Sequence, residues 1–117
     1  MAEEDIIWAK KRHLFGGFEP SNMIKFTASR SGTTVTLTAT LPNDTMIENQ
    51  TLCAVAGCVI RKSTSGYPKN EFEGTLVADI TESKTLTDTS SGTTYYSAFP
   101  YSDQEVYNRN TVNRVQC

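Results

Sequence analysis

The chain has 117 residues, a formal net charge of −2 and 38% hydrophobic residues. That length fits one domain with a real core, and the near-neutral balance excludes a charged disordered tail and a general phosphate-backbone binder, which needs a basic face. Ser and Thr number 10 and 17; Thr suits a pleated, half-buried surface, so composition alone predicts β structure.

Residues 1–20 differ from the rest. Met1-Ala2-Glu3-Glu4-Asp5 is acidic where a secretory leader is basic and then apolar. No apolar run approaches the roughly 18 residues of a membrane-crossing helix. These features predict a product made in a cytoplasm, with no membrane partner. Ile6-Ile7-Trp8-Ala9 and then Lys10-Lys11-Arg12 follow the acids. Acid first and base last suits a short helix and its dipole. Gly16-Gly17 breaks the pattern, and Glu19-Pro20-Ser21 reads as a linker. Two readings stand side by side. The segment is an arm folded over one end of the domain, or a docking arm that presents Ile7, Trp8, Leu14 and Phe15 to a neighbouring subunit.

Residues 21–117 carry a run of strand signals. Ile24 to Ala28 and Thr34 to Leu41 flank the turn signal Ser31-Gly32, which predicts a hairpin. The second run alternates strictly: Val35, Leu37, Ala39 and Leu41 face a core, and the threonines between them face water. Pro42-Asn43-Asp44 ends it. Leu52 to Lys62 is a further strand region, and its apolar stretch Val55-Ala56-Gly57-Cys58-Val59-Ile60 suits a central strand. Gly57 marks a bulge or a close backbone approach. Gly74 to Ile80, Lys84 to Asp88 and Thr93 to Phe99 are the next strands; Pro100 is expected to end the last of these. Tyr101 to Glu105 reads as a hairpin loop and Tyr107 to Val115 as the closing strand. About seven short strands separated by turn signals predict an all-β, antiparallel, seven-stranded β-sandwich with Greek-key connections, preceded by the arm.

Chemistry is sparse. The three cysteines, Cys53, Cys58 and Cys117, form no CxxC, and the single His is His13. They read as two buried small hydrophobes and a terminal thiol, so no metal and no other cofactor is expected. Asn43-Asp44-Thr45 and Asn49-Gln50-Thr51 match the glycosylation sequon by chance in a Thr-rich chain. No GxSxG, HExxH, Walker or GxGxxG pattern occurs. A Ser-His-Asp arrangement has only His13 to build on. Glu71 and Glu73 near Tyr67 read as solvated loop charges, and Arg61, Lys62, Lys69, Arg109 and Arg114 as a solubilising surface. Tyr67, Tyr101 and Tyr107 fall in or beside loops, where tyrosine is an effective contact residue for a partner or a sugar.

Gly57-Cys58-Val59-Ile60-Arg61-Lys62 resembles the third strand of a fibronectin type III domain. Thr34 to Leu41 with Pro42 resembles its second strand. Ser91-Gly92-Thr93-Thr94-Tyr95-Tyr96-Ser97-Ala98-Phe99 resembles its turn and sixth strand. The resemblance implies a tyrosine corner at Tyr95, with its hydroxyl bonded back to upstream backbone. The chain departs from the family at Ala39, where a core Trp is common, and at Ser91, where Pro often precedes the turn. The order of Ile60-Arg61-Lys62-Ser63, Tyr67-Pro68, Glu73-Gly74-Thr75-Leu76-Val77, Thr87-Asp88-Thr89, Gly92 to Tyr96 and Ala98 to Ser102 is similar to fibronectin III-like modules of bacteriophage and prophage tail and other virion proteins. It covers roughly residues 51–110. It implies a non-catalytic virion protein that meets other virion proteins or further copies of itself. The alternative is a small module binding cell-surface glycans through Tyr67, Tyr101 and Tyr107.

Overall fold

In a computed structural model of the chain, residues 18–117 are described. The expected helix in the arm and the docking residues Ile7, Trp8, Leu14 and Phe15 lie outside them. The described residues hold nine strands and no helix: β1 (Lys25–Ser31), β2 (Thr34–Thr40), β3 (Thr45–Ile47), β4 (Gln50–Cys53), β5 (Val55–Ser63), β6 (Thr75–Ile80), β7 (Lys84–Thr89), β8 (Tyr95–Ser102) and β9 (Arg114–Gln116). All pairings are antiparallel. One sheet has the order β1-β2-β7, a second has β6-β5-β8-β9, and β3-β4 form a hairpin of their own.

The alternation in β2 explains the core. Val35, Leu37 and Ala39 are buried, and they meet Cys58 and Ile60 of β5, Ile80 of β6, and Tyr96 and Ala98 of β8 in one cluster. Phe26 and Ala28 of β1 and Leu86 of β7 pack against it. Both large sheets therefore bury their inner faces in a common interior. The cluster is polar at one end, where the Tyr96 hydroxyl and the Lys62 ammonium both donate to the Asp88 carboxylate, at 2.7 and 2.8 Å. Nearby, the Arg30 guanidinium donates to the carbonyls of Ser90, Gly92 and Cys117. It ties β1 to the turn before β8 and to the end of β9.

The hairpin at Ser31-Gly32 forms, with Gly32 at φ 64°. Gly57 serves both expected purposes. The β5–β8 register shifts between Val55 and Gly57, and a side-chain carbon on Gly57 would stand 2.5 Å from the Ile80 carbonyl oxygen and 2.6 Å from the Tyr101 hydroxyl.

Five expectations need correction. The strand region at Leu52 is interrupted at Ala54, so Cys53 and Cys58 belong to different strands. Residues 45–51 build β3 and most of β4 around Glu48 and Asn49, both at positive φ, which is the twist a two-residue hairpin turn requires. The strand count accordingly exceeds seven. Pro100 does not end β8. Its carbonyl accepts the Asn108 N–H and so points away from β5; the N–H it lacks would point the same way, beyond the reach of β9. Tyr101 is thus a strand residue. The closing strand is short: Tyr107 makes one bridge to Tyr101, and the ladder resumes only at Arg114–Gln116.

Cys53 and Cys58 are buried and all three thiols are free. Burial pushes the Cys58 thiol up to about 12.

Candidate functional site

The outward faces of the two large sheets are chemically different. On the three-stranded sheet, Thr34, Thr36, Thr38 and Thr40 stand opposite Ser31, Ser29, Thr27 and Lys25 of β1. Thr89, Thr87 and Thr85 of β7 continue the same rows. Lys25 is the only charge in this array, because the pleat puts every apolar residue of these strands on the other side.

The four-stranded sheet presents Val59 and Arg61 of β5 and Tyr95, Ser97, Phe99 and Tyr101 of β8 on its outer side, paired as Val59↔Phe99 and Arg61↔Ser97. Residues 64–74 cross this face. The Ser97 hydroxyl donates to the Pro68 carbonyl at 2.8 Å. Arg61 Nε donates to the Glu71 carbonyl at 2.8 Å. On this face Val59, Ser97 and Phe99 are buried.

Glu71 is the anchor of that loop. It is only 5% exposed, and both carboxylate oxygens accept from Arg109, at 2.8 and 2.6 Å. Burial alone would raise its pKa; the bonds from Arg109 and from backbone outweigh this and hold the carboxyl below its ordinary range. Glu71 is therefore not a solvated loop charge. Arg61, Lys62 and Arg109 are likewise not a loose solubilising set, since each holds a specific partner. Arg114 lies 5.2 Å from the centre of the Tyr67 ring.

The three tyrosines do not converge. Tyr67 sits edge-on to Tyr95, with ring centres 5.0 Å apart. Tyr101 lies six residues further along β8, roughly 20 Å away at strand rise. It packs against Tyr107 with centres 5.3 Å apart, and its hydroxyl donates to the Asp79 carboxylate at 2.7 Å. Burial and that bond push the Tyr101 phenol up to about 12. The tyrosine-corner expectation also moves: Tyr95 lies on the outer face, and the hydroxyl that reaches back upstream belongs to Tyr96, which bonds the Asp88 side chain rather than backbone. Its near-identity with Tyr95 in sequence hid this; the alternation from buried Ala98 back to Tyr96 was the available signal.

Two adjoining shallow cavities lie at the Tyr67 end. One, about 400 Å³, runs between Lys62, Thr75, Thr89 and Gly92. The other, about 360 Å³, is lined by Ser63, Ser65, Tyr67, Lys69 and Glu73. Among the described residues, no three His, Cys, Asp or Glu side chains stand together as a metal site. His13 lies outside the described residues. No protein-family model, no curated protein and no solved structure matches the chain.

Proposed function

We propose that this chain is a fibronectin III-like, non-catalytic structural module of a phage or prophage virion, acting through contacts with other virion proteins or with further copies of itself. One observation carries the reading. With the β3-β4 hairpin set aside, seven strands remain, and the three segments that carry the fibronectin resemblance are, in chain order, the second, third and sixth of them, β2, β5 and β8. The fourth of the seven pairs with the third, and the sixth lies on the third's other side. That order of strands supports a Greek-key sandwich reading. Two ion pairs support the non-catalytic part: Glu71–Arg109 fastens the 64–74 loop, and Lys62–Asp88 joins β5 to β7 of the other sheet. Immunogold labelling of purified particles with an antibody to this chain tests the reading. Label at a fixed place on the particle is expected; a chain absent from purified particles by mass spectrometry overturns it.

A second reading, glycan binding, is favoured by the hydroxyl-lined cavity beside Tyr67. Sugars stack on such rings and bond such hydroxyls. Tyr67→Ala should then abolish binding to host cell-wall glycan. Binding that survives Tyr67→Ala removes this site.

A further inference from the structure

A strand at the edge of a sheet presents unpaired N–H and carbonyl groups, and natural proteins shorten, bend or cover such edges. Among the described residues, three of the four edges of the large sheets are treated so. β9 has only three residues. β6 shifts register against β5 between Ile60 and Arg61, which bends it. β1 runs beside β9, and its Arg30 reaches the Cys117 carbonyl at 3.1 Å. β7 is the exception. It pairs with β2 along Lys84–Thr89 without a shift. Its sequence, Lys84-Thr85-Leu86-Thr87-Asp88-Thr89, holds no proline or glycine, and no described strand lies on its other side.

One bond gives the direction of its backbone. The Ser90 N–H donates to the Thr33 carbonyl at 2.9 Å, so these two residues are a hydrogen-bonded pair of the antiparallel ladder. Every second residue follows: Asp88, Leu86 and Lys84 turn their N–H and carbonyl groups toward β2, and Thr89, Thr87 and Thr85 turn theirs outward. The Thr89 carbonyl agrees, since it accepts from the Lys62 ammonium of the opposite sheet at 3.1 Å. Thr85 and Thr87 keep their N–H and carbonyl groups open to a partner strand.

A second copy, turned about a two-fold axis through Leu86, uses all of these groups. Thr85 of each copy faces Thr87 of the other and exchanges both bonds with it. The same register sets Leu86 against Leu86, and Lys84 of each copy opposite Asp88 of the other. Thr–Thr and opposite-charge pairs across strands both stabilise. Asp88 has an acceptor site left: a carboxylate takes about four donors, and Lys62 and Tyr96 supply three. The neighbouring register, centred on Thr87, carries Lys84 past the end of the partner strand and leaves Asp88 opposite Leu86.

We propose that the free edge of β7 binds β7 of a second copy of this chain, antiparallel and two-fold symmetric. Two three-stranded sheets become one sheet of six, and the threonine rows run across both copies. Both edges are closed, so association stops at two. This deepens the self-contact part of the proposed function and rests on that part alone; its failure leaves the particle assignment to the labelling experiment above.

Sedimentation of the full chain should give twice the 12.9 kDa monomer mass. Thr87→Pro removes an outward N–H that β2 does not use, a place where an edge strand tolerates proline. It should melt close to the parent and sediment as a monomer. Lys84→Glu, at an exposed position, sets like charges opposite each other and should weaken the dimer by roughly tenfold or more. It carries the test if the proline variant does not fold. A chain that stays monomeric at about 1 mM, or a dimer that survives either substitution unchanged in a folded chain, overturns the proposal. A mass that rises past two chains overturns the two-fold pairing in favour of open-ended association.

Discussion

The two large sheets share a core and differ on their outer faces, and the difference lies in what covers each. The β1-β2-β7 sheet ends in hydroxyls that water can satisfy. The β6-β5-β8-β9 sheet carries Val59, Phe99, Tyr95 and Tyr101 on its outer side, which water cannot satisfy, and residues 64–74 close over part of it. One sheet is finished by composition, the other by a loop pinned through an ion pair. The second solution makes the outer face part of the stability of the molecule.

The sharpest way to break this comparison is to substitute matched positions. Phe99→Ala, in the outer row of β8, should cost about 3–5 kcal/mol, as for a core phenylalanine, because Phe99 is only 2% exposed. Urea unfolding measures it; a cost below about 1 kcal/mol would show that the loop does not seal the face. Arg109→Ala comes next. It leaves the Glu71 carboxylate buried without its partner, at a cost of about 2 kcal/mol, the low side for a buried pair because the arginine side chain is 52% exposed. The same pair predicts a pH dependence. The folded pKa of Glu71 is lowered, so its contribution is complete above the unfolded carboxylate value of about 4.3 and is lost as pH falls through the lowered folded value. Thermal melts of Glu71→Gln should therefore lose less stability than the parent chain between pH 5 and pH 3, on the order of these carboxylate pKa values. The smallest effect is on the other sheet. Thr36→Ala, in the centre of the hydroxyl array, should stay within about 0.5 kcal/mol. A larger loss would mean that the array is itself covered.

Local pattern made much of the core legible. β2 is a clean alternation, and both the central place of β5 and the close approach at Gly57 follow from residue type. What escaped depends on pairing across the chain. Pro100 continues a strand because its ring faces the side where β9 has not yet begun, a fact about the neighbouring segment rather than about proline. The β3-β4 turn uses Glu48 and Asn49 where Asn-Gly would have announced it. Glu71 finds Arg109 across 38 positions and Lys62 finds Asp88 across 26, so neither pair has a local signature. Of the candidate site residues, Tyr67, Tyr101 and Tyr107 are each half-buried. The distance between Tyr67, which packs on Tyr95, and Tyr101 was not visible, because it depends on Tyr101 lying in β8 and not in a turn.

The buried thiols have a consequence for handling and for habitat. A cysteine such as Cys58, protonated until about pH 12 and enclosed in the core, is a poor nucleophile toward disulfides and peroxides. The described fold also contains no disulfide to reduce. Thiol–disulfide oxidants and reductants should therefore leave its melting temperature alone, with Cys117 the one partly accessible thiol left to react.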